Sequence, residues 1–295
     1  MHRLIRVAAL AMAAACAVPV AAIGQSARVM IGASPAPGQT VRLRMTQEMD
    51  FELKPIGEPP PGIPKEGIRS KGKSMLLLKQ EVGTLDANGR LRLDLTYEDV
   101  SQELRVNDAP LPIPQDSYDT LRGKTVTMWM GKNNEVLDVT APENFPIPQD
   151  QLKQFLGPLV ASVPHQEMSV GETVTLPFST ALPIPVPAGG APPLLTGQTK
   201  TTLTRLTPEA GDQVATLDQT MTVAFDSGGE TTTGRNVRMD VKIVASGTTD
   251  TFVRGGLVKS NAMNGTISGQ FSPAGRGGAS MKLSGTMTMS VERVP

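Results

Sequence analysis

The chain is predicted to be mainly β, with long antiparallel strands forming a curved sheet, half-barrel or sandwich, and one or two short helices. Three observations predict this. Apolar and polar residues alternate over runs of up to thirteen positions. Clusters of Gly, Asn and Asp separate the runs and supply the backbone conformations that tight turns need. The 3.6-residue period of a helix is confined to the middle of the chain. Strict alternation buries one face and wets the other, as in antiparallel rather than fully covered parallel sheets.

The first run spans Val41 to Leu53. Its odd positions are Val41, Leu43, Met45, Gln47, Met49, Phe51 and Leu53, and its even ones are Arg, Thr, Glu or Asp. The last run places Met281, Leu283, Met287, Met289 and Val291 opposite Lys282, Ser284, Thr286, Thr288, Ser290 and Glu292, with Gly285 as a gap on the apolar side. Between them, strands are predicted at Arg90 to Tyr97, Thr125 to Met130, Leu217 to Phe225 and Val237 to Ala245. Turns are predicted at Asp86 to Gly89, Gly131 to Asn134, Asp226 to Gly229 and Arg254 to Gly256.

Two segments carry helix signals. Asp150 can cap a helix over 150–163, whose apolar positions Leu152, Phe155, Leu156, Leu159, Val160 and Val163 share one face, with Pro158 as a kink. A shorter one runs from Asp116 to Arg122 and stops at Gly123. Each follows the same lead-in, Pro112-Ile113-Pro114-Gln115-Asp116 and Pro146-Ile147-Pro148-Gln149-Asp150, in which Pro sets an extended approach and Asp caps. A coarser order of strand, Pro-rich gap, strand, turn, strand and hairpin recurs in 41–145 and 170–295. It suggests two similar halves without residue-level identity, joined by the helix.

The beginning of the chain has the layout of a secretory signal. Arg3 and Arg6 precede an apolar stretch from Val7 to Ile23, and small residues before Gln25 place cleavage after Gly24, with Ala22 as the alternative. The stretch is shorter than the ~20 residues that span a bilayer, and no transmembrane span is expected in the mature chain. Residues 25–40 are expected to be a flexible lead-in. Ala13-Ala14-Ala15-Cys16 is similar to the lipobox of bacterial lipoproteins. However, Ala13 replaces the expected aliphatic residue and the apolar run continues past Cys16, which favours a cysteine inside the signal. The expected location is therefore the periplasm or the outside.

Without the signal, no cysteine and one histidine, His165, remain, and 26 basic residues face 28 acidic ones. That excludes disulfides, zinc sites of the usual type and an electrostatic footprint for nucleic acid. There is no Gly-x-Ser-x-Gly elbow and no phosphate-cradling loop. His165 follows the predicted helix, where a histidine commonly serves charge or solvation. Carboxylate neighbours such as Glu98 with Asp99, or Asp50 with Glu52, lie on polar strand faces. Trp129, two Tyr and seven Phe are too few for stacking platforms or the aromatic girdles of an outer-membrane barrel. No cofactor and no enzymatic activity are expected.

Methionine is the enriched residue. Met45, Met49, Met128, Met130, Met281, Met287 and Met289 fall on apolar strand faces and are the candidate ligand-binding residues, since unbranched, polarizable side chains adapt to irregular shapes. Long one-faced strands, a capping helix and a Met-rich interior resemble the half-barrel of periplasmic lipoprotein carriers and related mycobacterial lipid-binding lipoproteins. The stretch Gly171-Glu172-Thr173-Val174 also resembles uncharacterised secreted β-rich families of Gram-negative bacteria. The first resemblance implies a non-enzymatic carrier for an apolar ligand such as a lipid. The alternative is a structural or protein-interaction module of the cell envelope, docking an envelope protein through the Pro-rich stretches Pro55 to Pro64 and Pro183 to Pro193.

Overall fold

The computed structural model describes residues 28–295 except 60–61, 112–118, 146–148, 150–151, 154–163, 182–193, 227–236 and 274–279. The described strands are β1 (Val29–Ile31), β2 (Thr40–Ile56), β3 (Ile68–Leu85), β4 (Leu91–Val106), β5 (Ala109–Pro110), β6 (Thr125–Met130), β7 (Val136–Thr140), β8 (Gln166–Met168), β9 (Thr173–Ala181), β10 (Leu194–Glu209), β11 (Asp212–Asp226), β12 (Val237–Phe252), β13 (Val258–Pro273) and β14 (Ser280–Val294). Twelve of them form one sheet in the order β7-β6-β4-β3-β2-β14-β13-β12-β11-β10-β9, with β5 beside β4. Every neighbouring pair is antiparallel, and the sheet does not close into a barrel. The two halves of the chain are thus continuous, joined where β2 pairs with β14.

The predicted alternation sets the faces. Register carries Met49 of β2 to Met287 of β14, Gly265 of β13, Ala245 of β12 and Met221 of β11 on one face. Their sequence neighbours Asp50, Thr286, Thr266, Val244 and Thr222 lie on the other. Strands of fifteen to eighteen residues at ~3.3 Å per residue are roughly 50 Å long. Glycine on the apolar face lets the sheet curl toward it. At Gly247 a Cβ would lie 1.9 Å from the Ala262 carbonyl oxygen, so no other residue fits that approach. Tight turns close the hairpins. Asn107 and Asp108, and Ala210 and Gly211, hold positive φ as two-residue turns, and Asp86 accepts from the Asn88 and Arg90 amides.

The N-terminal lead-in differs from expectation. Within 25–40, Val29–Ile31 pairs with Gln166–Met168 to make a separate two-stranded ribbon, and Ile31 and Met168 are fully buried. The ribbon packs with Val29 and Ile31 against Leu203, Ala215 and Leu217 of β10 and β11. Burial of these apolar side chains outweighs the freedom of a loose terminus. A second core joins Val41, Val82, Leu91, Leu93, Val126, Met128, Met130 and Val139 with Leu152 and Leu257. Leu152 and Lys153 are helical, while most of the predicted helix 150–163 lies outside the described residues, as do most of the shorter helix and both Pro-Ile-Pro lead-ins. Gly123, the expected stop, has φ 75°.

Candidate ligand-binding face

Both cores lie toward the end of the sheet that carries the β3–β4, β10–β11 and β12–β13 hairpins, which we call the closed end. A clasp there draws the two flanks of the sheet together. Asn134, in the β6–β7 turn, donates from Nδ2 to the Gly32 carbonyl, and Ser34 Oγ lies 3.0 Å from Asn134 Oδ1. His165 Nδ1 donates to the same Gly32 carbonyl at 2.7 Å, which requires the proton on Nδ1. Gly32 follows β1, whose ribbon is seated on β10 and β11, so one flank is tied through the ribbon to the other. The ribbon lies on the apolar face, and that face is therefore the inside of the curl. His165 is a fastener of the fold, where its position after the predicted helix had suggested charge or solvation.

Away from the closed end the inner face continues without a charge. From Met45 to Leu53 in β2, and at the positions registered with them in β3 and in β10 to β14, no inward residue is Asp, Glu, Lys or Arg. Leu43, Met45, Met49, Phe51, Met221, Ile243, Ile267, Met287 and Met289 are only half-buried. An apolar surface several strands wide is thus left incompletely covered.

The seven predicted methionines all face inward, but they divide into two groups. Met45, Met49, Met281, Met287 and Met289 lie on the neighbouring central strands β2 and β14 and are half-buried. Met128 and Met130 are 4% and 6% exposed within the closed-end core, against Leu91, Leu93 and Val139. Those two are core residues. Met263, pairing with Met289, and Met221 belong with the central group, whereas Met75 lies on the wetted face beside Thr46 and Ser101. Met263 was missed because Asn261, Gly265 and Gly269 interrupt the alternation of β13.

The inner face also carries polar groups that alternation alone did not single out. Asn261 Nδ2 donates to Thr249 Oγ1 (2.7 Å), Thr249 Oγ1 to Gln219 Oε1 (2.6 Å), and Gln219 Nε2 to Thr201 Oγ1 (3.4 Å). This chain crosses β13, β12, β11 and β10. The Asn261 Oδ1 atom on β13 and the Thr199 hydroxyl on β10 are buried without a partner, as is Gln39 Oε1 at the closed end.

The wetted face holds the carboxylates considered above, and they are ion-paired. Arg69 grips Asp50 through two bonds of 2.9 and 2.6 Å and holds its carboxyl below the usual carboxylate range. Glu98 meets Arg42 and Asp99 meets Arg122. A cavity of about 460 Å³ on this side is bordered by Glu48, Asp50, Lys71, Lys73, Glu103 and Arg105, and Met49 is the one predicted ligand-binding residue at its edge. Lys73 pairs with Glu48 at 2.8 Å and Lys71 with Asp108 at 3.2 Å. Charges of both signs, mutually paired and solvated, are the ordinary dress of a wetted sheet face.

No helix among the described residues is long and apolar enough to cross a membrane. Of the Pro-rich stretches, 183–193 lies outside the described residues. Neither a protein-family model nor a curated protein sequence matches the chain. Among solved structures, an outer membrane channel from Pseudomonas putida F1 aligns with 89% of this chain and 97% of its own, at 9% identity and a TM-score of 0.20, a likeness too slight to bear on fold or role.

Proposed function

We propose that this chain is an exported, non-enzymatic carrier that holds an apolar ligand, such as a lipid, against the inner face of its curled sheet. One observation carries the reading. The inner face is uncharged at the positions level with Met45 to Leu53 of β2 across β10 to β14 and stays half-exposed, while the closed end of the same sheet is packed by the ribbon and by Leu152 and Leu257. Leaving that much apolar surface to water costs ~25 cal/mol per Å², which an apolar ligand recovers on binding. Methionine suits the task because its side chain changes shape at low cost.

The test is native mass spectrometry of protein purified from its own envelope fraction, with organic extraction of what travels with it. The expected result is an apolar molecule at near-unit ratio in the wild type and its loss from Met287→Asp, with the circular dichroism spectrum kept. A Met287→Asp protein that folds and retains the same ligand content would overturn the carrier reading.

A further inference from the structure

From the unpartnered Thr199 hydroxyl buried on the inner face we infer that the ligand is an uncharged amphiphile, an alkyl chain bearing a hydroxyl or amide group, and neither a pure hydrocarbon nor an anionic lipid. This rests on the carrier reading and names its ligand class. Buried polar atoms in folded proteins are nearly always paired, because an unmade hydrogen bond costs its full desolvation. Thr199 is only 5% exposed, faces inward between Leu176 and Met221, and its hydroxyl has no partner. Asn261 spends its amide nitrogen on Thr249, and its oxygen is equally unpartnered. Thr249 cannot satisfy that oxygen, since its one proton goes to Gln219.

Thr199 lies on the same register row as Met221, Met287 and Met49, so a ligand chain on that span brings its head group to it. Met221, unbranched and half-buried next to Thr199, is the side chain that moves to admit it. The head group must be neutral. No cation stands at the inward positions registered with β2 from Met45 to Leu53, and an unpaired anion buried there would be strongly disfavoured. A hydroxyl both donates and accepts, and satisfies the orphaned Thr199 group.

The experiment is displacement of an environment-sensitive apolar dye from the purified chain by four ligands of one chain length: a fatty alcohol, a monoacylglycerol, the fatty acid above its pKa, and the alkane. The alcohol and monoacylglycerol are expected to bind about tenfold more tightly than the alkane or the ionised acid, the worth of one hydrogen bond. Thr199→Val removes an unpartnered hydroxyl at constant shape, so the fold is kept. It should bring alcohol and alkane to within about twofold. Equal affinity for all four in the wild type, a preference for the acid, or an unchanged preference in Thr199→Val would overturn the head-group inference and leave the carrier reading standing. Failure of the dye and every ligand to bind would overturn both.

Discussion

Met128 and Met287 face the same side of the same sheet, yet they are packed differently. Met128 is 4% exposed among Leu91, Leu93, Val126 and Val139, in a region held shut by the ribbon, the clasp at Gly32 and Leu257. Met287 sits mid-sheet between Met49 and Gly265, half-buried, with no second layer over it among the described residues. The difference teaches that identity and strand face do not separate packed core from open apolar surface. What separates them is whether another element reaches across the curl.

That contrast can be broken most forcefully at the closed end. Met128→Asp would bury an unpaired carboxylate and is expected to cost ~4 kcal/mol or more, read as a collapse of the urea midpoint, whereas Met287→Asp keeps a cooperative transition. Equal losses at the two sites would mean that the central face is core as well. A gentler cut is Asn134→Ala, which removes one donor to the Gly32 carbonyl and is expected to cost about 1–2 kcal/mol. Hydrogen exchange should then quicken in 29–31 and 166–168 while β13 and β14 stay protected; uniform loosening would speak against a local clasp.

The smallest effect is expected at Asp212. Burial by itself would raise its pKa, but the Gln213, Arg254 and Gly255 amides donate to its carboxylate and hold it below the usual range. A lowered folded-state pKa contributes stability above the unfolded value of ~3.9 that is lost as pH falls through the folded value. Asp212→Asn is therefore expected to cost about 1 kcal/mol at pH 7 and less near pH 3, measured by denaturation across that interval. A constant difference would remove the electrostatic part of this account.

Much of the fold was legible because one face is dry. β6 spans the predicted Thr125–Met130, β2, β11 and β14 extend their predicted runs by a few residues at one or both ends, and β12 runs on past the predicted Ala245 to Phe252. β13 was hidden, since its inward positions include Asn261, Gly265 and Gly269, chosen for hydrogen bonding and curvature instead of hydrophobicity. The ribbon was hidden for another reason. Three residues carry no period, and Val29–Ile31 finds its partner more than 130 residues away. Five of the seven candidate methionines occupy the open central face, and the other two could not be told from them without knowing what packs on the strands.

The sequence by itself determined the antiparallel class, the two faces and the turns at Asp86 to Gly89, Gly131 to Asn134 and Arg254 to Gly256, because alternation and turn chemistry act between neighbouring residues; the predicted turn after Asp226 lies outside the described residues. Which flank meets which, where the face is sealed by the ribbon, and which polar groups end without partners were decided only by the tertiary structure. Those depend on contacts such as Asn134 with Gly32 and Asn261 with Thr249, which join strands through curvature and register instead of through adjacency along the chain.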